Sequence, residues 1–166
     1  MIKRKPMGRK SAGIARRSLK QSRRRVSKPK TITWLTKELD RVFSQFIRLK
    51  YSNKEGVVFC YTCGHFTHYK KIHAGHFISR WYKATRWNEN NVRPQCFMCN
   101  IYKKGDSVKF RINLIQEIGE KEVEKMEDES ARFIKRGAVE KEWMEQKINY
   151  YKQQIKLLPA YQASLL

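Results

Sequence analysis

Two cysteine pairs with the same internal gap, "CYTC" (Cys60, Cys63) and "CFMC" (Cys96, Cys99), constrain this chain more than any other feature. A C-x-x-C turn delivers two sulfurs to one ion, and two such turns complete the closed tetrahedral shell of a structural zinc. All four cysteines of the 166-residue chain are used in these pairs. The start, "MIKRKPMGRKSAGIARRSLK", is charged but lacks the apolar core of a secretory signal. Paired thiols then point to metal in a reducing, cytoplasmic compartment rather than to disulfides. The same acid-poor, Arg-rich start also fits an organellar transit peptide, which stays open as a minor reading.

The pairs lie 32 residues apart, from Gly64 to Gln95, more than a simple zinc ribbon uses, so a functional element is expected between them. "HAGHF", His73 to Phe77, lies inside that segment. Two further histidines, His65 and His68, could replace a cysteine or face solvent. Four available thiolates make the replacement unnecessary.

Thirty-seven Lys and Arg against fifteen Asp and Glu leave a net charge of +22, which draws a chain to polyanions, nucleic acid above all. No apolar run approaches the roughly eighteen residues of a membrane span. Residues 1–30 hold thirteen basic residues and no acid, and read as a disordered basic arm. It is either a solubilising tail or a phosphate-tracking arm. The second reading is preferred because the other 136 residues still carry +9.

Residues 31–55 predict an amphipathic helix with Trp34, Leu35, Leu39, Val42, Phe43, Phe46 and Ile47 on one face and Thr33 or Thr36 as its cap. Residues 56–106 hold the cysteines and histidines. "VVFCYTCGHFTHY" predicts a short strand entering a tight turn, "KKIHAGHFI" a second strand, and "NNVRPQCFMCN" a loop, a second turn and a helix start. Residues 107–160 predict C-terminal helices. Asp106-Ser107 is the cap of the first, Gly119 its end, and "GEKEVEKMEDES" a short helix. A long last helix carries Val139, Trp143, Ile148, Tyr151, Ile155 and Leu158 and stops near Pro159. Its apolar face packs on the domain or pairs with a second copy, giving a homodimer; periodicity does not choose.

Phosphodiester cleavage needs a base to deprotonate water and charge stabilisation on the leaving oxygen. One divalent ion with a few protein ligands supplies the latter. Asn100 directly follows Cys99, so a zinc-held turn would fix it, with His76 facing the same cleft from the preceding hairpin.

These residues resemble the HNH (ββα-metal) nucleases and, within them, the NinG (Rap) recombination nucleases of lambda-type phages. The resemblance is carried by "C-x-x-C-G" from Cys60 to Gly64, "AGH" from Ala74 to His76, and "RWNENNVRPQCFMCN" from Arg86 to Asn100. It continues through "YKKGDSVKFRINLIQEIGEKEVEKME" from Tyr102 to Glu127 and covers roughly residues 31–155. It implies an α+β fold, a small zinc-stabilised ββα-metal core flanked by helices. It implies a structural Zn²⁺, a catalytic Mg²⁺ or Mn²⁺, and hydrolysis of branched recombination intermediates such as Holliday junctions and D-loops in the host cytoplasm. His76 matches the general base, Asn91 the residue pinning the loop that holds it, and Asn100 the final metal-binding position.

At His73 relatives suggest an acid. An imidazole there suits Zn, Ni or Mn better than Mg²⁺, and its role as ligand stays open. His73 and His76, three apart, point to opposite faces of a regular strand unless Gly75 permits a bulge. Lys70, Lys71, Arg80, Lys83, Arg86, Arg93, Lys103 and Lys104 are expected to neutralise phosphates of branched or duplex DNA. Trp81, Tyr82 and Trp87 among them either stack on unpaired bases or fill a small core. Two rival classes are a zinc-knuckle nucleic-acid-binding protein without catalysis and a basic ribosome- or RNA-associated protein.

Overall fold

The computed structural model describes residues 30–132 and 139–165, so the basic arm expected over 1–30 lies almost wholly outside the described residues. The first helix, α1 (Ile32–Lys50), is capped by Thr31 rather than by Thr33 or Thr36. Thr31 is extended (φ −79°, ψ 156°), and its Oγ1 accepts from the Trp34 amide at 3.1 Å, satisfying one of the free N–H groups of the first turn. Leu35, Leu39, Val42, Phe43, Phe46 and Ile47 are buried as the periodicity requires, whereas Trp34 remains 47% exposed.

The facing wall is α5 (Lys141–Leu157), which buries Met144, Ile148, Tyr151 and Ile155 in the same cluster. The Tyr151 ring sits 5.1 Å from Phe43 and 4.9 Å from Phe46, centroid to centroid. The last long helix therefore spends its apolar face inside the chain. The long helix stops at Leu157, with Leu158 extended, and Pro159 opens a further short helix, α6 (Pro159–Ala163), at a position where its missing N–H costs nothing.

Between these helices lie two antiparallel pairs. β1 (Val57–Phe59) and β2 (Phe66–His68) flank the first cysteine turn. β3 (His73–His76) pairs with β4 (Val92–Gln95) in the regular register His73↔Gln95, Ala74↔Pro94, Gly75↔Arg93, His76↔Val92. The segment expected as loop before the second cysteine pair is thus a fully buried strand. Its "VRPQ" sequence hides the strand, since proline is tolerated where a two-stranded ladder leaves alternate N–H groups unpaired. A short helix, α2 (Lys83–Arg86), and a 3₁₀ turn (Glu89–Asn91) occupy the connection between β3 and β4. After β4 comes one π-helical turn (Met98–Tyr102), closed by the Lys103 amide donating to the Met98 carbonyl at 3.0 Å.

Helices α3 (Ser107–Ile118) and α4 (Glu120–Arg132) meet at Gly119, whose φ of +86° makes the turn cheap for glycine alone. Asp106 precedes α3 in a left-handed conformation and makes no side-chain cap. Phe110, Leu114, Val123, Met126 and Ile78 form a second small core. No described helix is long and apolar enough to cross a membrane.

Arg93 is a structural residue, which corrects its expected role as a phosphate contact. It is 2% exposed, lies between the Tyr51 and Tyr61 rings at 5.2 and 5.5 Å, and donates twice to the Glu117 carboxylate at 3.0 Å. Its remaining nitrogen donates to the Glu89 and Val92 carbonyls at 2.6 and 2.9 Å. Every donor nitrogen is engaged inside the fold, so no phosphate can reach it. Glu117→Ala would strand this cation. The expected loss is about 2–3 kcal/mol, the low end for a broken buried pair because Glu117 is partly exposed. Urea denaturation checks it, and an unchanged midpoint would refute the assignment.

Candidate active site and metal centre

The four cysteine sulfurs converge to within 4.8 Å of one another, and they are the one group of three or more potential ligands gathered among the described residues. A Zn–S bond of about 2.3 Å places tetrahedral sulfurs about 3.8 Å apart, and Cys63 and Cys96 sulfurs are 3.7 Å apart. The donor set and spacing fit zinc. Local backbone bonds shape the first turn: the Gly64 amide donates to the Cys60 carbonyl at 2.9 Å, and the Cys60 amide to the His65 carbonyl at 2.7 Å. Burial pushes the Cys60 thiol up, but hydrogen bonds from the Thr62 hydroxyl and nearby backbone amides outweigh it and bring Cys60 down to about 6. Gln95 supports this layer by donating to the Thr62 hydroxyl at 3.3 Å and to the Gly105 carbonyl at 2.7 Å.

Beside this cluster, an open cleft of about 570 Å³ is lined by Ala74 and His76 of β3, Asp40, Phe43 and Ser44 of α1, and Asn100, Ile101 and Lys104 of the π turn and its exit. Ser79 and Arg80 close it from the β3–β4 connection. The cleft thus brings together four residues expected from sequence, His76, Asn100, Arg80 and Lys104.

The two histidines of "HAGH" do not share the cleft. Regular pairing puts Ala74 and His76 on one face of β3 and His73 on the other. Gly75 makes no bulge. A side chain there would collide with Gln95, whose amide fills the space beside it. Asn100 links the two faces, since it lines the cleft while its Nδ2 donates to His73 Nδ1 at 3.0 Å.

His76 is held by a backbone contact. Its Nε2 lies 3.0 Å from the Arg86 carbonyl oxygen, which can only accept, so Nε2 carries the proton and Nδ1 of the neutral ring keeps the free lone pair. Burial pushes the His76 pKa below its ordinary value, against the opposing pull of the Arg86 carbonyl and the Asp40 charge. The ring therefore stays neutral and basic near pH 7.

Asn91 spans the connection that carries this arrangement. It is completely buried, its Oδ1 accepts from the Ile78 amide at 2.7 Å, and its Nδ2 donates to the Ile78 and Thr85 carbonyls at 2.9 and 3.0 Å. Asp40 acts on the same connection from α1. It accepts from the Arg86 guanidinium through both carboxylate oxygens, and from the Trp87 indole at 2.9 Å. Sequence reasoning missed Asp40 by reading α1 as packing alone. The available signal was an acid placed three and four residues before Phe43 and Ser44, on the same helix face.

The remaining basic residues divide. Arg86 is engaged with Asp40 and the Arg80 carbonyl, which leaves its guanidinium little to offer a phosphate. Lys70, Lys71, Lys83 and Lys103 are exposed but line no part of the cleft. Among the aromatics, Trp87 is buried beside Trp143, Tyr82 is half-buried against the second core, and Trp81 is exposed.

A family model described as Bacteriophage Lambda NinG protein matches residues 2–160. Protein ninG of Escherichia phage lambda is 31% identical over 111 residues, covering 66% of this chain and 51% of the relative. The corresponding proteins of Escherichia phage 933W and Salmonella phage P22 are each 30% identical over 111 residues, 66% of this chain and 52% and 51% of theirs. The chain spans about half the length of the curated relatives it matches. No solved structure matches it. Because the family match runs through the cysteine turns, the cleft and the flanking helices alike, this chain belongs to the NinG family.

Proposed function

We propose that this protein is an HNH-type, metal-dependent endonuclease that hydrolyses phosphodiester bonds in branched DNA such as Holliday junctions and D-loops. The observation that carries this reading is His76: a neutral imidazole, fixed through Nε2 by a backbone carbonyl so that Nδ1 keeps its lone pair, on the wall of a cleft shared with Asn100 and flanked by Arg80 and Lys104. An antiparallel pair followed by a helical turn, with the histidine on its first strand and the asparagine on the turn, has the order ββα expected of that superfamily. In this reading Nδ1 takes the proton of the attacking water. Asn91 keeps the loop, and so the Arg86 carbonyl, in register with the ring. Arg80 and Lys104 attract the phosphate.

A catalytic Mg²⁺ or Mn²⁺ in the cleft would take Asn100 from the protein, with His73, on the other face of β3, holding the Asn100 amide by its hydrogen bond rather than entering the cleft itself. When bound, it would stabilise charge on the leaving oxygen. Asp40 lines the cleft, but Arg86 and Trp87 occupy both of its oxygens, so the protein donor is neutral and favours Mn²⁺ over Mg²⁺. A junction with two scissile strands would be met by two copies. Their contact would use the outer side of α5, where Trp143, Tyr150 and Leu157 are exposed.

Labelled four-way junctions incubated with the protein and Mn²⁺ or Mg²⁺ test the reading: site-localised cuts are expected. No cut with any divalent ion would leave a zinc-knuckle binding protein in its place. Asp40 gives a second check. Asp40→Asn should lower kcat by up to about 100-fold through misplacement of the Arg86 carbonyl, with KM little changed. An unaltered kcat would remove Asp40 from the machinery.

A further inference from the structure

The C-x-x-C turn that closes the metal centre leaves an apolar group outside. Cys96 and Cys99 turn their sulfurs inward, so the residues between and after them project the other way. Phe97, Met98, Ile101 and Tyr102 are each half or more exposed, Tyr102 at 70%. They are nevertheless ordered with respect to one another. The Phe97 and Tyr102 rings meet edge to face at 5.6 Å, and Phe97 meets His73 at 5.9 Å. Ile101 reaches the cleft that holds His76, so the group is continuous with the candidate site. Lys103 and Lys104 follow at once, both exposed.

We infer that this turn is a wedge that stacks Phe97 and Tyr102 on unpaired bases at a DNA branch point, a role that rests on the nuclease reading for its substrate. Aromatic faces rimmed by lysine match a base, which offers a π-face, attached to a phosphate, which offers negative charge. A second copy of this chain is the poorer occupant. A symmetric contact through this turn would bring Lys103 and Lys104 of each copy together, and like charges across an interface are costly. Linear duplex offers no open base face, so the wedge supplies selectivity for branched DNA that the basic surface alone does not.

The test uses full-length protein in a His76→Ala background, without added divalent ion, so that cleavage does not enter the readout. Phe97→Ser with Tyr102→Ser should weaken binding to a branched DNA with unpaired bases by about tenfold or more. Affinity for linear duplex of equal length should stay within about twofold, as expected when phosphate contacts are untouched. A 2-aminopurine beside the branch should lose its protein-induced fluorescence change. Phe97→Trp with Tyr102→Phe should restore both signals, and zinc content per chain should not change in either variant. Equal loss on both DNAs, no loss on either, or a fall in molecular mass on removing the rings would overturn the wedge. Absence of cleavage by the wild type would instead overturn the nuclease reading, leaving the binding result to stand by itself.

Discussion

His76→Ala is expected to reduce cleavage of branched DNA by about 10²–10⁴-fold, the usual contribution of a positioned general base. Binding should be almost unchanged, because the ring lies in the cleft wall rather than among the exposed lysines. The pH profile carries more information than the rate alone. Burial lowers the His76 pKa from its ordinary 6.5, so the reactive neutral form dominates throughout the neutral range. Activity should therefore rise with pH along a limb lying below 6.5 and then level off as far as His76 is concerned. The same shift affects stability. Below about 6.5 the unfolded chain takes up a proton that the native ring resists, so stability falls as pH drops toward the native pKa. A rate limb centred above 6.5, or cleavage by His76→Ala at the parental rate, would remove His76 from the role of base.

Stripping the zinc is expected to unfold the centre of the molecule. Structural zinc binding is worth on the order of 10 kcal/mol of folding free energy, comparable with the whole stability of a domain this size. Cys60 and Cys99 belong to the main apolar cluster together with Val58 and Val92, so the metal centre and the core are continuous. Removal should abolish the cooperative thermal transition seen by circular dichroism, and Cys99→Ala should prevent zinc uptake at one ion per chain. Cleavage should vanish with the ion, since Asn100 is the next residue after Cys99 and its amide is tied to the Cys96 carbonyl at 2.9 Å. Zinc-free protein with an unchanged melting curve would show that the thiols hold the fold unaided.

Those two sites were not equally legible in the sequence. Cysteine spacing needs no tertiary information: a C-x-x-C turn is local, and only the meeting of the two turns is long-range. The helices α1 and α5 were also readable from apolar stripes at period 3.6, although Trp34 and Trp143 on those stripes stay exposed, whereas α4 showed only as an acidic segment. β4 was not, because its residues carry no alternation and include proline and arginine. What makes "VRPQ" a strand is burial on both sides, with Arg93 neutralised by Glu117 from α3, 24 residues later. The bond between Arg86 and His76 was invisible for another reason, since a backbone carbonyl has no sequence signature. Asp40 was visible as a letter and mute as a function, because its partners lie 46 and 47 residues away.

Arg93 and Asp40 together alter how the chain can be divided. Sequence composition invites a cut on either side of residues 56–106, giving a compact fragment with every cysteine and histidine. Such a fragment would lose both Glu117 and Tyr51, leaving the Arg93 guanidinium without its carboxylate and with Tyr61 alone beside it, and would lose Asp40, freeing the segment on which His76 rests. The smallest autonomous unit of this protein must begin before Asp40 and end after Glu117. The cysteine turns and cleft residues gathered in fifty residues thus depend for their placement on one acid from each flanking helix, and grafting the short motif onto another scaffold would transfer the letters without the geometry.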